Sequence, residues 1–318
     1  MSKILIRQAN VEDSNAIIKL LNKEWSHHWW SKENPKDFWV WNNENLSHRE
    51  SIVSVATYNN DIIGHYCILP KLLKINNTLI ESGIGILASV DSDFRNDVSI
   101  MDISKFAYEK AQESGMKMIY GFPNDNYYLI QEKLERWDKV HRYKSKEINI
   151  SKKFETSFKL EELSNSHTIF DNVKVDEMIS IHKDSNYCYN RYIKHPRDIY
   201  KSFLIYKDND VVGFLVTKIF NSSKGHIIDF IIDGEIECDD IIKLANNYFL
   251  ENDVTDLSYW PTSETFTNSL NKIYDTIDDG FNTNFYVKFL DDSFKTKYKD
   301  KITNINNWNL PMGVSDVF

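Results

Sequence analysis

Cysteine, glycine and proline are scarce in this chain, and positive charge is outnumbered. Three cysteines, Cys67, Cys188 and Cys238, stand among 318 residues. An odd number at wide separation makes neither a disulfide framework nor a C-x-x-C metal knuckle, which fits a reducing, cytoplasmic setting with no metal. Glycine (10) and proline (6) make up about 5% of the chain, less than half the usual share, so long flexible linkers are not expected. Lys and Arg number 38 against 47 Asp and Glu, a net charge of −9. That balance argues against a general DNA binder, whose affinity comes from neutralised phosphates. No run of some 18 apolar residues occurs, so no membrane span is expected. Met1 to Asn10 is charged and lacks an apolar segment, unlike a signal peptide.

What is present is a globular balance: 42% apolar, 27% charged, and enough length for two domains. Asparagine is abundant, read here as low-GC codon usage. Ile4 and Ile6 alternate with polar neighbours as in a short strand. Asn10 then caps a helix whose apolar stripe is Ile17, Leu20, Leu21 and Trp25. Trp25 to Trp41 holds five tryptophans, the pair His27–His28 and Phe38. Such a run of large aromatics suits a cap on the core, or a pocket for an acceptor or acyl chain. Ser51–Thr57, Ile62–Leu69 and Ile80–Val90 read as three antiparallel strands, with turn chemistry at Asn59-Asn60-Asp61 and Asn76-Asn77. A helix over Ile100–Ala111 stops at Gly115. Met116–Phe122 reads as a strand, Asn126–Arg136 as a helix and His141–Ile150 as a strand.

The second half repeats the first. Asn59-Asn60-Asp61-Ile62-Ile63-Gly64 and Asp208-Asn209-Asp210-Val211-Val212-Gly213 match at an offset of 149 residues, each between two aliphatic strands. Phe38, Trp39 and Trp41 correspond to Tyr187, Tyr189 and Tyr192. Strands at 227–232 and 257–260 flank a helix at 241–249. The matching order implies duplication. The predicted fold class is therefore α/β, with two similar domains, 1–155 and 156–318, each a mixed, mostly antiparallel twisted sheet flanked by helices.

The segment most suggestive of chemistry is Val90-Asp91-Ser92-Asp93-Phe94-Arg95-Asn96-Asp97-Val98-Ser99-Ile100, between a strand and a helix. A strand entering a helix N-terminus through a short loop presents free N–H groups to a diphosphate. The segment resembles the acyl-CoA loop of the GNAT N-acetyltransferase superfamily, V-x-P-x-Y-R-x-x-G-x-G/A. Val90, Phe94 and Arg95 are in register, whereas Ser92, Val98 and Ile100 replace the Pro, Gly and small residue. A Gly there admits phosphate without a Cβ, and Val98 adds a branched side chain. Gly121-Phe122-Pro123-Asn124, followed by Lys133-Leu134 and Trp137, resembles a tandem-domain branch of the superfamily associated with bacterial cell-surface carbohydrate genes. Asn190-Arg191-Tyr192…His195-Pro196 and Trp308…Met312-Gly313-Val314-Ser315-Asp316-Val317-Phe318 resemble two further signatures of that branch.

The resemblance implies a tandem GNAT fold and transfer of an acyl group from acetyl-CoA, or another acyl-CoA, to a small-molecule primary amine, including a nucleotide-linked amino sugar. It implies that the acyl-CoA lies in a gap between the fourth and fifth strands, opened by a bulge. Backbone N–H groups near Ala88 and Ser89 would hold the thioester carbonyl, and Val90, Arg95, Asn96, Asp97, Val98, Ser99, Ile100 and Asn124 the rest of the cofactor. The general base is His65, by its near-neutral free pKa, or Glu81. The acid that protonates the thiolate is Tyr127 or Tyr128, because Gln131 occupies the usual tyrosine position. In the second repeat the corresponding loop, Asp233 to Asp240, carries five carboxylates and no Arg, which repels a diphosphate. It lacks calcium-loop spacing and reads as a solvated helix start. The second domain is therefore read as degenerate and as shaping the acceptor cleft. Two rival readings remain: an aminoacyl-tRNA-dependent peptidyltransferase, which the acidic balance disfavours, and a non-catalytic GNAT-fold binding or scaffold protein.

Overall fold

A computed structural model describes residues 4–25, 34–163, 178–196, 199–232, 236–261 and 263–315. His27, His28, Trp29 and Trp30, the start of the acidic run (Asp233, Gly234, Glu235) and Asp316 to Phe318 lie outside the described residues.

The first half runs β1 (Leu5–Gln8), α1 (Ser14–Glu24), α2 (Pro35–Trp39), β2 (Ile52–Tyr58), β3 (Asp61–Ile75), β4 (Thr78–Val90), α3 (Ile100–Glu113), β5 (Met118–Gly121) and β6 (Asp138–Asn149). The second runs β7 (Phe158–Glu162), β8 (Ile179–Ile181), α4 (Ser185–Cys188), β9 (Lys201–Lys207), β10 (Asp210–Phe220), β11 (Lys224–Ile232), α5 (Cys238–Glu251), β12 (Asp256–Tyr259), α6 (Glu264–Ile273), β13 (Asp278–Phe289), α7 (Asp292–Ile302) and β14 (Trp308–Asn309). The predicted strands and the helix ending before Gly115 are all present. The segment predicted as a helix over 126–136 is a turn at 125–127 followed by a helix at 128–134, whose larger part, Ile130–Leu134, is π-helical.

Two compact units emerge. The first comprises residues 1–73, 79–140 and 285–303; the second comprises 74–78, 141–284 and 304–318. Where the sequence suggests one boundary after residue 155, the units interleave. In the first unit the strand order is β1-β2-β3-β4-β5 followed by the end of β13. β4 and β5 pair parallel, and Tyr286–Phe289 pair antiparallel with Gly121–Met118. In the second the order is β7-β9-β10-β11-β12-β6, again with one parallel pair, β11·β12, and an antiparallel last strand. Each unit thus takes its sixth strand from the other half of the sequence. The repeat offset is 149 residues for β2/β9 and β3/β10 and 138 for α3/α5 and β5/β12, so the second copy lacks eleven residues between the start of β10 and the start of α5.

Asparagine supplies the backbone freedom that scarce glycine does not. Asn59 and Asn60 have φ of 50° and 71°, and Asn76 and Asn77 have 50° and 63°. Both pairs thus close two-residue hairpins of the kind that matches strand twist. Asp208 and Asn221 turn the second copy's hairpins with φ of 54° and 50°. Turn geometry therefore accounts for part of the asparagine content that composition alone assigns to codon usage.

The first unit's core lies between the sheet and α3, where Ile103, Ala107 and Ala111 are fully buried with Ile63, Ile119 and Trp137. α1 buries Ile17, Ile18, Leu20 and Leu21 on one face. Among the described residues no helix is long and apolar enough to cross a membrane.

Candidate functional site

In the first unit β4 pairs with β5 only through Ser82–Ile84 and Met118–Tyr120. β4 then continues for six residues to Val90 without that partner. Leu87, on this free stretch, has φ of 55°. A leucine held in that region costs roughly 1–3 kcal/mol of backbone strain, which the surrounding strand must hold in place. At the apex of the gap a Cβ on Gly85 would lie 2.3 Å from the Tyr66 hydroxyl, so only glycine lets that phenol approach β4.

His65, on β3, is 3% exposed, and its Nδ1 lies 2.8 Å from the Leu87 carbonyl. A carbonyl only accepts, so Nδ1 carries the proton and Nε2 is the basic nitrogen. Burial, countered in part by that bond, lowers the imidazole pKa to about 4, so the ring is neutral at pH 7. His65 lines a small cavity with Leu87, Ser14, Trp39, Asn42 and Asn43. Ser14 Oγ is buried there with no hydrogen-bond partner. Glu81 is not close by: it precedes Leu87 by six residues, about 20 Å at the rise of a strand. It pairs instead with Arg49 at 2.9 Å and His48 at 3.1 Å. The structure therefore separates the two candidate bases and sets only His65 beside Leu87.

Past Val90 the loop amides are largely taken. Asp91 N–H donates to Ile63 O, Phe94 N–H to Asp91 O, and Asp97 and Val98 N–H both to Phe94 O. Asp93 N–H donates to the Asp91 side chain, and Ser99 caps α3 through Met101 N–H. Ser92 N–H donates to the Glu24 carboxylate at 2.9 Å. Arg95 donates to the same carboxylate and to Val90 O. Val98, 6% exposed, belongs to the buried cluster with Ile103 and Ala107, so its side chain turns into the core. Ile100 packs on that cluster, while Asn96, Asp97 and Ser99 are exposed. Ser89 is buried, with the Trp25 indole N–H 3.3 Å from its Oγ; Ala88 is half-buried.

The two candidate phenols separate. Tyr127 donates to Glu135 at 3.2 Å. Burial, reinforced by neighbouring Tyr66 and Glu135, pushes its pKa well above the ordinary value. Tyr128 is half-buried, its ring 6.3 Å from that of Tyr286. Gln131 is buried, its Oε1 unpartnered. Asn124 caps this turn, its Oδ1 accepting from the Asn126 and Tyr127 amides, and it is exposed. Sequence reasoning missed the group that organises the region. Glu135, 8% exposed, accepts from Ser104, from Tyr108 at 2.8 Å and from Tyr127. The available signal was Ser104 and Tyr108, polar groups four residues apart on the buried face of α3.

No family model matches the chain, and no curated protein does. Solved structures do match. A GCN5-related N-acetyltransferase from Anabaena variabilis superposes with a TM-score of 0.67 at 11% identity, over 92% of this chain and 74% of that one. A tandem GNAT protein from the clavulanic acid biosynthesis pathway gives 0.60 at 9%, covering 91% and 99%. Saccharomyces cerevisiae N-myristoyltransferase with bound myristoyl-CoA gives 0.58 at 11%, covering 91% and 83%. The fold is the GNAT fold.

The second unit repeats the GNAT strand order with different chemistry at the gap. β11 pairs with β12 only as far as His226 and Ser258, and three residues on, where Leu87 stands in the first unit, is Asp229. It is 1% exposed. Its carboxylate accepts from Lys183 at 2.5 Å, from the Tyr192 hydroxyl and from Phe230 N–H. Arg191, also buried, donates to Tyr200 at 3.0 Å and to the Gly313 and Ser315 carbonyls. The Asn190-Arg191-Tyr192 and Met312–Ser315 signatures thus meet in space. Asp229 had a sequence signal, a lone acid inside the aliphatic run His226–Ile232. Among the described residues no group of three or more His, Cys, Asp or Glu is placed to hold a metal.

Proposed function

We propose that this chain is an N-acyltransferase that moves an acyl group from acetyl-CoA, or another acyl-CoA, to a primary amine. The observation that carries the reading is the freed edge of β4, with the left-handed Leu87 and the neutral His65 beside it. Amides of Ala88 and Ser89, past Leu87, would stabilise the thioester oxyanion. The amine attacks the carbonyl carbon: a C–N bond forms, the C–S bond breaks, and the departing thiolate takes up a proton. His65 Nε2 accepts the proton the amine gives up. With a native pKa near 4 it holds that proton only transiently. Tyr127 is a poor acid because its proton is committed to Glu135, so Tyr128 is the better donor to the thiolate. A fold neighbour with bound myristoyl-CoA supports an acyl-CoA donor. The amino-sugar acceptor and the surface-polysaccharide setting rest on the sequence resemblance alone. The three cysteines are free and buried, in keeping with a cytoplasmic protein.

The second reading, a non-catalytic GNAT-fold binding protein, is favoured by one observation: the loop past Val90 is satisfied by the chain itself. The two readings separate in a thermal-shift titration with acetyl-CoA followed by thiol release with free and nucleotide-linked amino sugars. A native-state ligand at a hundredfold its Kd stabilises by about 2.7 kcal/mol. We expect a concentration-dependent rise in Tm and amine-dependent thiol release. Neither effect at millimolar acetyl-CoA would overturn the acyl-CoA reading and favour the binding-protein one.

A further inference from the structure

Two charged residues at the end of α1 reach the loop that the proposed reaction needs. Glu24 is nearly buried, its side chain 6% exposed. One carboxylate oxygen takes the Ser92 amide at 2.9 Å and the other takes Arg95 Nη2. Lys23 pairs with Asp91 and, at 2.7 Å, with Asp93. A peptide N–H and a guanidinium converging on one anion are the contacts a phosphoryl group uses. Here the anion is a side chain of the protein, held by donors at charge-assisted distances. Glu24, Asp91, Asp93 and Asp97 outnumber Lys23 and Arg95 around the loop by two, an excess that falls to one when the Glu24 carboxylate moves away.

The geometry points to Glu24 as the residue that sets the affinity of this loop for a diphosphate-bearing donor: its carboxylate occupies the anion seat, and the ligand binds only by displacing it. This rests on the acyl-CoA reading for the identity of the ligand, but not for the existence of the seat. Arg95, 62% exposed, is already positioned to keep the guanidinium on whichever anion is present. Glu24 thus serves as an affinity filter, holding the loop ordered when empty and competing with the ligand when it arrives.

The test uses the full chain, with inorganic diphosphate and CoA as separate probes in isothermal titration at low salt. Glu24→Gln keeps the size of the side chain and an acceptor for Ser92 N–H but removes the charge. It is expected to tighten diphosphate binding at least tenfold, and adding Arg95→Gln should cancel the gain. Unchanged or weaker diphosphate binding by a folded Glu24→Gln protein overturns the inference. If that variant unfolds too readily to titrate, Glu24→Asp shortens the reach by one methylene and should shift affinity in the same direction; no gain there overturns it equally. A gain for diphosphate without a gain for CoA upholds the seat and counts against the acyl-CoA reading.

Discussion

At the scale of single residues, His65 shows what a sequence can and cannot say about a site. Its residue type and its place after Gly64 make it a candidate base, and the structure sets it against the carbonyl of the left-handed Leu87. Its burial, which lowers its pKa to about 4, depends on α1 and α2 packing over β3 and is invisible in local sequence. Glu81 was equally legible as a carboxylate near a strand start, yet Arg49 and His48 claim it. The depressed imidazole makes a prediction with a definite sign. The unfolded chain binds a proton near pH 6.5, the native His65 only near 4, so the unfolded state binds more protons between those values. Stability from His65 is complete above about 6.5 and falls with pH through the window by roughly 1.4 kcal/mol per unit, about 3 kcal/mol in total. His226, lowered to about 3 mainly by burial, adds its own slope in the second unit. Urea midpoints between pH 7 and 4.5 should fall less steeply for His65→Gln than for the wild type, by about one proton's worth. Parallel curves would show that His65 is not the buried neutral imidazole described here.

Between residues and the whole chain, the two copies share a device that the sequence hides. α2 passes into a π-helical stretch at Val40–Asn45 and α4 into one at Tyr189–Ile193, starting 149 residues apart. Apolar spacing gives no sign of a shift to i→i+5 bonding, because stretches of six and five residues are too short to set one helical period against another. The repeat in the hairpin turns was legible, since left-handed backbone restricts the choice of residue; the wide turn was not. In the second unit the π turn delivers Tyr192 to Asp229, and a Cβ on Gly313 would lie 2.3 Å from the same hydroxyl. Glycine at 313 and tyrosine at 192 are therefore coupled. Tyr192→Phe removes a donor from a buried carboxylate and should cost about 1–3 kcal/mol. Gly313→Ala forces the ring aside at about 1–3 kcal/mol. In the double variant the missing oxygen leaves room for the new methyl, so the two costs should sum to more than the measured loss by about 1 kcal/mol. Denaturant unfolding of the four proteins checks this, and additivity within about 0.3 kcal/mol would break the proposed contact.

On the scale of the molecule, the exchange of sixth strands governs how the chain can be cut. A consecutive reading places a boundary near residue 155 because each half carries the same order of elements. It could not show that residues 285–303 return to the first unit, since strand pairing across some 165 residues leaves no local pattern. The returning segment does carry a trace: Phe285, Tyr286 and Val287 are consecutive, and all three are fully buried, as befits a strand covered on both faces. It is fixed to the first unit by polar contacts as well. Lys117 meets Asp291 at 2.8 Å, Lys288 donates to Glu135 O at 2.7 Å, and Tyr286 donates to Glu132 at 2.8 Å. Removing it would bare the edge of β5, whose four residues are all buried, an open invitation to aggregation. Residues 1–155 alone should therefore give no cooperative unfolding transition and should self-associate. Residues 1–140 joined by a flexible linker to 278–303 should recover a single transition and native near-ultraviolet circular dichroism. A fragment ending at 155 that unfolds cooperatively as a monomer would mean that β13 and α7 dock on a unit already complete, and the strand exchange would then be an ornament of the fold instead of a condition for it.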